Sequence, residues 1–346
     1  MASEKLGFET LKEKVIDAGR CCGCGACVAA CPKSIIEMQD SVPTLVGEDI
    51  KCGLCTKSCP RMIEDYRPIY AEVFGDAQRD PALGVFLQAY ALRNADEAVR
   101  KRAQDGGVVT GLLLHLLDTE QIEGAIVSGV NPERPWLPLP QVATTRKEIL
   151  AASKSRYTRS ANLVALAEAI KERKLKQLAV VGTPCHIQAV QRMRLAPLKR
   201  IDRSVVMTIG LFCSETFRFD DLMQQKIVGE LGISLDKLRK LDIKGKLLVY
   251  PRGAKESLKV PLKDLAEWVE PSCHYCTDFA SDFADISVGG AGTPSKWSTV
   301  LTRTKRGQAL IEEVLAANKF LREEVTPEDL DMLRRIARPK VARQPH

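Results

Sequence analysis

From residue 107 onward, apolar stretches of helical length alternate with shorter strand-like ones. Residues 107–117, 162–172 and 186–194 have the length and spacing of helices, while 124–128, 177–181, 205–211 and 284–288 are short apolar runs bounded by turn residues. Alternation of this kind predicts an α/β domain with a mostly parallel sheet. The longest apolar stretch, residues 108–117, is broken by Thr110, Gly111 and His115. It falls far short of the ~20 residues that span a bilayer. Residues 67–80 are charged and show no clean period, and with Pro68 and Pro81 they read as a linker.

Composition narrows the field. The chain has 346 residues, and its 45% apolar content can build a core without cross-links. Aromatics make up 5%, too few for stacking platforms on a carbohydrate or a single nucleic-acid strand. A formal charge of +7 suits an acidic partner or an anionic small molecule, and no nucleic-acid motif accompanies it. Residues 1–19 are charged and lack the apolar centre of a secretory signal. A cytoplasmic location is expected, with any membrane contact made as a peripheral part of a larger complex.

Twelve cysteines fall in tight groups, which in a reducing compartment marks metal ligands rather than disulfides. Cys21, Cys24, Cys27 and Cys31, followed by Pro32, have the spacing of the bacterial ferredoxin run. In that run three cysteines hold one cubane and the fourth reaches across to another. Cys52, Cys55 and Cys59, followed by Pro60, repeat its end. By that crossing rule, Cys21, Cys24, Cys27 and Cys59 share one [4Fe-4S] cluster, and Cys31, Cys52 and Cys55 share another. The missing cysteine of the second run falls at Asp49. Either its carboxylate completes the cubane, or the corner is open and the site holds a [3Fe-4S] cluster. Cys22 lies outside the spacing and reads as a packing residue. Structural zinc also takes pairs two residues apart, but four-cysteine runs ending in Cys-Pro are not its arrangement.

The other four cysteines belong to the α/β region. Cys185 follows the strand ending in Gly182, and Cys213 follows the strand ending in Leu211. Both are therefore expected at the carboxyl edge of a parallel sheet, where such sheets place ligands. Cys273 and Cys276 add a pair from one turn, making four thiolates, enough for a third cubane. Two glycine clusters, Gln104-Asp105-Gly106-Gly107 before a helix and Gly289-Gly290-Ala291-Gly292 after a strand, suit either an anionic ligand or tight turns. The donor-rich Ser155-Arg156-Tyr157-Thr158 suits an anionic cofactor or a solvated loop.

Several of these pieces together resemble the beta-subunit family of coenzyme F420-reducing hydrogenases and dehydrogenases. The matching segments are 103–111, 156–158, 182–185, 210–213, 273–279, 284–289 and 292–300, in the family's order and covering about residues 85 to 320. The added amino-terminal ferredoxin is similar to that of the F420H2 dehydrogenase input subunit. The resemblance implies an α+β ferredoxin-like two-cluster domain (residues 1–66), a linker (67–84), an α/β domain binding flavin and a cluster (85–325), and a basic tail (326–346). It further implies FAD, a cubane on Cys185, Cys213, Cys273 and Cys276, and coenzyme F420 as substrate. Residues matching flavin-contacting segments are Gln104, Asp105, Gly106, Gly107, Thr110, Arg156, Tyr157, Thr158, Gly182 and Thr183.

Three positions depart from the family pattern. Arg156 stands where a lysine is usual, Lys154 where a glycine is usual, and His186 replaces a common glutamine. Lys154, Arg156 and Lys296 are candidates for a basic entrance for F420. No side chain is expected to act as a nucleophile or acid–base catalyst, since the flavin carries the chemistry. The implied activity is hydride exchange between F420 and FAD, with single electrons passing through the clusters. The other end of the route is a hydrogenase, a heterodisulfide reductase, a membrane dehydrogenase complex or a ferredoxin, in a hetero-oligomer without a transmembrane segment of this chain's own. Two alternatives share the cofactors: an electron relay that does not use F420, and a ferredoxin-dependent reductase acting on another substrate such as a tetrapyrrole. The basic tail residues Arg334, Arg335, Arg338, Lys340 and Arg343, with Pro339 and Pro345, suit docking on an acidic partner or a solvated end.

Overall fold

The computed structural model describes residues 6–343; the ends of the predicted first domain and tail, residues 1–5 and 344–346 with Pro345, lie outside the described residues. The cysteine-rich segment consists of short helices, among them Ala26–Ala30 and Leu54–Ser58, around a hairpin of β1 (Ile36–Gln39) and β2 (Val42–Leu45). Gly25 precedes the first of these helices at φ 83°. A side chain there would strike the backbone of Ala161 and Val164, so only glycine lets this loop close on the main domain. The amide of Leu163 donates to the Cys24 carbonyl at 3.1 Å across that junction.

The main domain is built on β3 (Gln88–Asn94), β4 (Gly124–Val130), β5 (Pro138–Ala143), β6 (Leu178–Gly182) and β7 (Val205–Leu211). A separate antiparallel sheet follows, of β8 (Leu238–Ile243), β9 (Lys246–Pro251) and β10 (Leu258–Pro261). The chain then returns to the large sheet with β11 (Ile286–Gly289), β12 (Ser298–Thr302) and β13 (Phe320–Glu323). The strand order is β13-β3-β12-β11-β7-β6-β4-β5. Only the central pairings, β11–β7, β7–β6 and β6–β4, are parallel. The other four are antiparallel, so the expected mostly parallel sheet is corrected to a mixed one. For β4–β5 and β11–β12 the cause is loop length: segments 131–137 and 290–297 are shorter than the dozen or so residues a parallel crossover needs.

Every residue of β6 is buried, as a central strand covered on both faces requires. The helices Val108–Asp118 and Lys305–Ala316 supply one covering layer, packing Leu112, Leu116, Leu310 and Ile311 on the sheet. Leu163–Lys171 and Pro184–Leu195 supply the other, and Ala26, Ala29 and Ala30 of the cysteine-rich segment join that same core. The two cysteine-bearing parts of the chain are thus packed together.

Two further expectations are corrected. The segment 67–84 is not an unstructured linker: Arg67–Phe74 is helical, with Pro68 in the first turn where its missing N–H costs nothing. Ile69 is buried there, and Tyr66, Tyr70 and Phe74 gather around Phe283. Nor is the basic end a solvated tail. Thr326 and Asp329 form a capping box for the helix Pro327–Val341, which buries Leu333, Ala337 and Lys340. Leu333 and Ala337 pack with Leu83, Phe279 and Leu301, so an apolar stripe holds the helix down despite its charge.

Candidate functional site

Cys21, Cys24, Cys27 and Cys59 line one cavity, with Leu11, Val15, Met38 and Pro43 among its walls. Two successive loop glycines, Gly23 at φ 62° and Gly25, wrap the chain around it. Burial pushes the Cys27 thiol well up, and holds Cys59 up at about 11. Four thiols in an apolar pocket ionise only against a positive centre, which is the donor set of an iron–sulfur cluster.

The second group is more open. Cys31 and Cys55 share the apolar cluster with Phe8 and Ile36, while Cys52 is exposed. Burial raises the Cys55 thiol to about 11, and the neighbouring Asp49 and Cys52 add to that rise. Asp49 therefore stands beside this group, but its two oxygens are already engaged. Oδ2 accepts from the Phe8 amide at 2.7 Å and Oδ1 from the Lys51 amide at 2.9 Å.

A second cavity lies at the carboxyl ends of β6 and β7, lined by Cys185, Cys213, Cys273 and Cys276. Gly182 ends β6, and Thr183-Pro184 start the next helix, which puts Cys185 in its first turn. Cys213 leaves β7 with its amide bonded to the Phe279 carbonyl at 2.9 Å. Cys273 and Cys276 close the pocket from the turn Pro271–Tyr275, and the Thr216 amide donates to Cys273 Sγ at 3.4 Å. Burial lifts Cys213 to about 12. Burial also pushes Cys276 up, but Lys340 and Arg61 outweigh it and leave that thiol lowered. Among the described residues, no three His, Cys, Asp or Glu side chains close on a single-ion centre.

Three residues of this region escaped sequence reasoning. Cys22 lines both cavities, beside Cys24 in the first and Cys185 in the second. Arg61 and Lys340 line the second cavity, one from beside Cys59 and one from the carboxyl-terminal helix. No local pattern could have disclosed their place at the second cavity, because Cys185, Cys213, Cys273 and Cys276 lie far along the chain from all three.

Beside the second cavity lie the segments matched to flavin contacts. Gln104 is held by the Ser155 amide, which donates to Oε1 at 3.3 Å, while its own Nε2 donates to the Leu241 carbonyl at 3.0 Å and to the Tyr157 hydroxyl at 3.4 Å. A side chain on Gly290 would strike the Asp105 carboxylate, so the two glycine clusters face each other. Thr158 is buried, and its Oγ1 has no partner. Arg156 forms no ion pair among the described residues, its one hydrogen bond going to the Ala152 carbonyl at 3.3 Å, and burial alone lowers it to about 10. An orphaned hydroxyl and an unpaired, half-buried guanidinium fit an anionic cofactor. Thr183 bonds both Cys185 Sγ at 3.1 Å and His186 Nδ1 at 2.8 Å, tying this edge to the sulfur cavity. His186 Nε2 donates to the Ser160 carbonyl at 2.8 Å, so the ring braces Thr183 and is not free to donate a proton outward. Gly106 and Gly107 instead face β3, β12 and the preceding turn, and Thr110 is buried one turn into its helix.

Lys154 adopts φ 74°, the left-handed conformation that a glycine would take without strain, and its Nζ donates to the Arg239 carbonyl at 3.0 Å. Burial lowers its pKa, as do Arg252, Arg239, Lys240 and Arg156, so five cations share this rim. The β8–β9 hairpin brings Lys240 and Lys244, which bond the Gln104 carbonyl at 2.6 Å and Asp105 at 3.3 Å. That hairpin was missed, although Lys244-Gly245 between two apolar runs is a turn signal, with Gly245 at φ 67°. Lys296 is exposed.

A mixed sheet carrying a sulfur-lined cavity at its carboxyl edge, joined to a ferredoxin-type cysteine segment with a sulfur-lined cavity of its own, defines an iron–sulfur oxidoreductase subunit. Residues 89–167 and 175–328 match the N-terminal and C-terminal parts of the family described as coenzyme F420 hydrogenase/dehydrogenase, beta subunit, and residues 14–37 match a 4Fe-4S binding domain. The coenzyme F420 hydrogenase subunit beta of Methanosarcina barkeri is 39% identical over 76% of this chain and 91% of its own. The coenzyme F420-dependent sulfite reductase of Methanocaldococcus jannaschii is 34% identical over 95% of this chain and 50% of its own. A chain of the F420-reducing [NiFe] hydrogenase complex from Methanosarcina barkeri superposes with a TM-score of 0.73 at 37% identity, over 77% of this chain and 92% of that one. The chain belongs to the coenzyme F420 hydrogenase/dehydrogenase beta-subunit family. Among the described residues, no helix is long and apolar enough to cross a membrane.

Proposed function

We propose that this chain is the F420-reactive subunit of a larger redox assembly, exchanging a hydride with F420 and passing single electrons to or from a partner redox protein. Gln104, Asp105, Arg156, Tyr157, Thr158, Gly182 and Thr183 would hold FAD, and the sulfur cavities would hold [4Fe-4S] clusters. Bound FAD supplies the conversion between a two-electron hydride and single electrons. The chain's own residues place and shield these groups. Arg156 offers an unpaired cation to a phosphate, Thr158 an unused hydroxyl, and Thr183 bonds a cysteine of the adjoining cavity. The rim of Lys154, Arg239, Lys240 and Arg252 suits the phosphate and carboxylates of F420. Exposed Cys52 sets the second ferredoxin site nearest solvent, where a partner would dock.

The observation that carries this reading is the contact between the anion-seeking edge and the four-cysteine cavity through Thr183. Anaerobically purified, flavin-loaded protein mixed with F420H2 should bleach in its flavin and cluster absorbance and reduce a viologen dye. Silence toward F420H2 combined with reduction by ferredoxin would instead identify a relay or a reductase of another substrate.

A further inference from the structure

Arg61 and Lys340 reach the cavity of Cys185, Cys213, Cys273 and Cys276 from opposite ends of the chain. Both are nearly excluded from solvent, at 5% and 4% exposure. Neither forms an ion pair with a carboxylate among the described residues. Lys340 Nζ donates to the neutral carbonyl of Cys213 at 2.6 Å. Arg61 makes only a long 3.5 Å bond to the Tyr275 carbonyl, and its Nε has no partner. A buried, unpaired cation is costly unless an anion faces it. The walls of the cavity supply five cysteine sulfurs, Cys22 included, and no carboxylate; the buried Asp278 lies outside the lining and acts on Lys340 less than Cys213, Cys276 or Cys273 does.

We propose that Arg61 and Lys340 are potential-setting residues, two cations that raise the reduction potential of the cluster held by those four cysteines. The inference rests on the reading that these cysteines hold a cluster. Four thiolates outweigh the positive iron–sulfur core, and reduction adds one more negative charge. A fixed cation in a water-poor pocket therefore stabilises the reduced form more than the oxidised one. The first cavity has no cationic residue in its lining, and Lys340 is not among the charges that act on its thiols, so Lys340 distinguishes the two sites. Arg61 also ties this effect to the docking of the ferredoxin segment, because it follows Cys59 by two residues and Cys59 lines the other cavity. The basic carboxyl-terminal helix thereby acquires an inward role: its apolar stripe presses Lys340 onto the sulfurs.

The test is an EPR-monitored potentiometric titration of anaerobically purified holoprotein, with the relevant signal assigned as the one lost in Cys213→Ala. Lys340→Met should lower the midpoint of that signal by roughly a tenfold change in its electron-sharing equilibrium, 59 mV for one electron. Lys340→Arg should stay close to wild type, and the signals of the amino-terminal clusters should not move. An unchanged midpoint, or an equal shift of all signals, overturns the proposal. Should Lys340→Met lose iron, Lys340→Gln is judged on the same readout and by the same two outcomes. If Cys213→Ala removes no signal, the cluster reading itself fails and the proposal falls with it.

Discussion

The Tyr70 hydroxyl donates to Asp282 Oδ2 at 2.6 Å, joining the segment between the two cysteine-rich parts to a carboxylate buried at the floor of the main domain. Arg79 and Arg303 approach the same carboxylate at 3.7 and 3.9 Å. Tyr70→Phe removes the shortest of these bonds without changing ring packing on Phe283. The expected loss is about 1.5–3 kcal/mol, the range for a hydrogen bond to a charged group. It is read as a lower urea midpoint by tyrosine fluorescence, with iron content unchanged.

Cys22 tests which thiols are ligands. It lines both sulfur cavities but stands outside the ferredoxin spacing. Cys22→Ala should leave iron and acid-labile sulfide at wild-type levels, whereas Cys24→Ala should lose a whole cluster. Equal losses from both would make Cys22 a ligand.

Much of this architecture was legible in short-range pattern. Cys185 and Cys213 were expected at strand ends, and they do leave β6 and β7, which pair in parallel. The ferredoxin crossing rule grouped Cys59 with Cys21, Cys24 and Cys27, and the fold brings those four to one cavity. What escaped depends on distant partners. Strand direction at the sheet edges is decided by loops rather than by strand composition, so β12 and β13 gave no sign of running antiparallel. Lys340 looks like any lysine of a basic helix until its Nζ is seen against Cys213, a residue 127 positions away. The helix at Arg67–Phe74 was hidden by its charges and Pro68, because its apolar stripe is only two turns long.

Arg156 carries an opposing pair of expectations. Its half-buried charge has no anionic partner among the described residues, and burial alone lowers its pKa to about 10. Arg156→Met should therefore stabilise the flavin-free protein. The same change should weaken FAD about 10–100-fold, the equivalent of a charge-assisted hydrogen bond of about 1.5–3 kcal/mol. Flavin titration and the denaturation midpoint of the flavin-free protein measure the two effects separately. A fall in both would assign Arg156 a purely structural role.

Asp105 supplies a pH dependence. Burial raises its carboxyl pKa, and Asp242 raises it further, against the pull of Lys244 and Lys240. The unfolded chain ionises this group in the ordinary carboxylate range, the folded chain higher. Between the two, the folded state holds the extra proton, so stability falls as pH rises through that window, and the deficit persists above it. Flavin-free protein should accordingly lose part of its stability through this group as pH rises above the ordinary carboxylate range. Asp105→Asn should flatten that slope while lowering flavin affinity. An unchanged slope would show that Asp105 titrates alike in both states.

Asp49 stands at the position of the missing ferredoxin cysteine, and its surroundings favour a cap over a ligand. Oδ2 accepts the Phe8 amide and Oδ1 the Lys51 amide, so both oxygens are spent on fixing the amino-terminal helix against the Lys51–Cys52 turn. Gly7 permits that approach, since any side chain there would collide with the same carboxylate. An oxygen already accepting a short amide bond is a poorer donor to iron, and the Cys31, Cys52 and Cys55 site should keep an open corner. Wild-type protein should then hold about eleven iron atoms per chain with a three-iron EPR signal, and Asp49→Cys about twelve with that signal lost. The substitution also removes two amide acceptors and should lower the thermal midpoint, because a thiolate accepts those bonds weakly. About twelve iron atoms in the wild type, with no three-iron signal, would place Asp49 on iron and require the Phe8 and Lys51 bonds to break when the cluster forms.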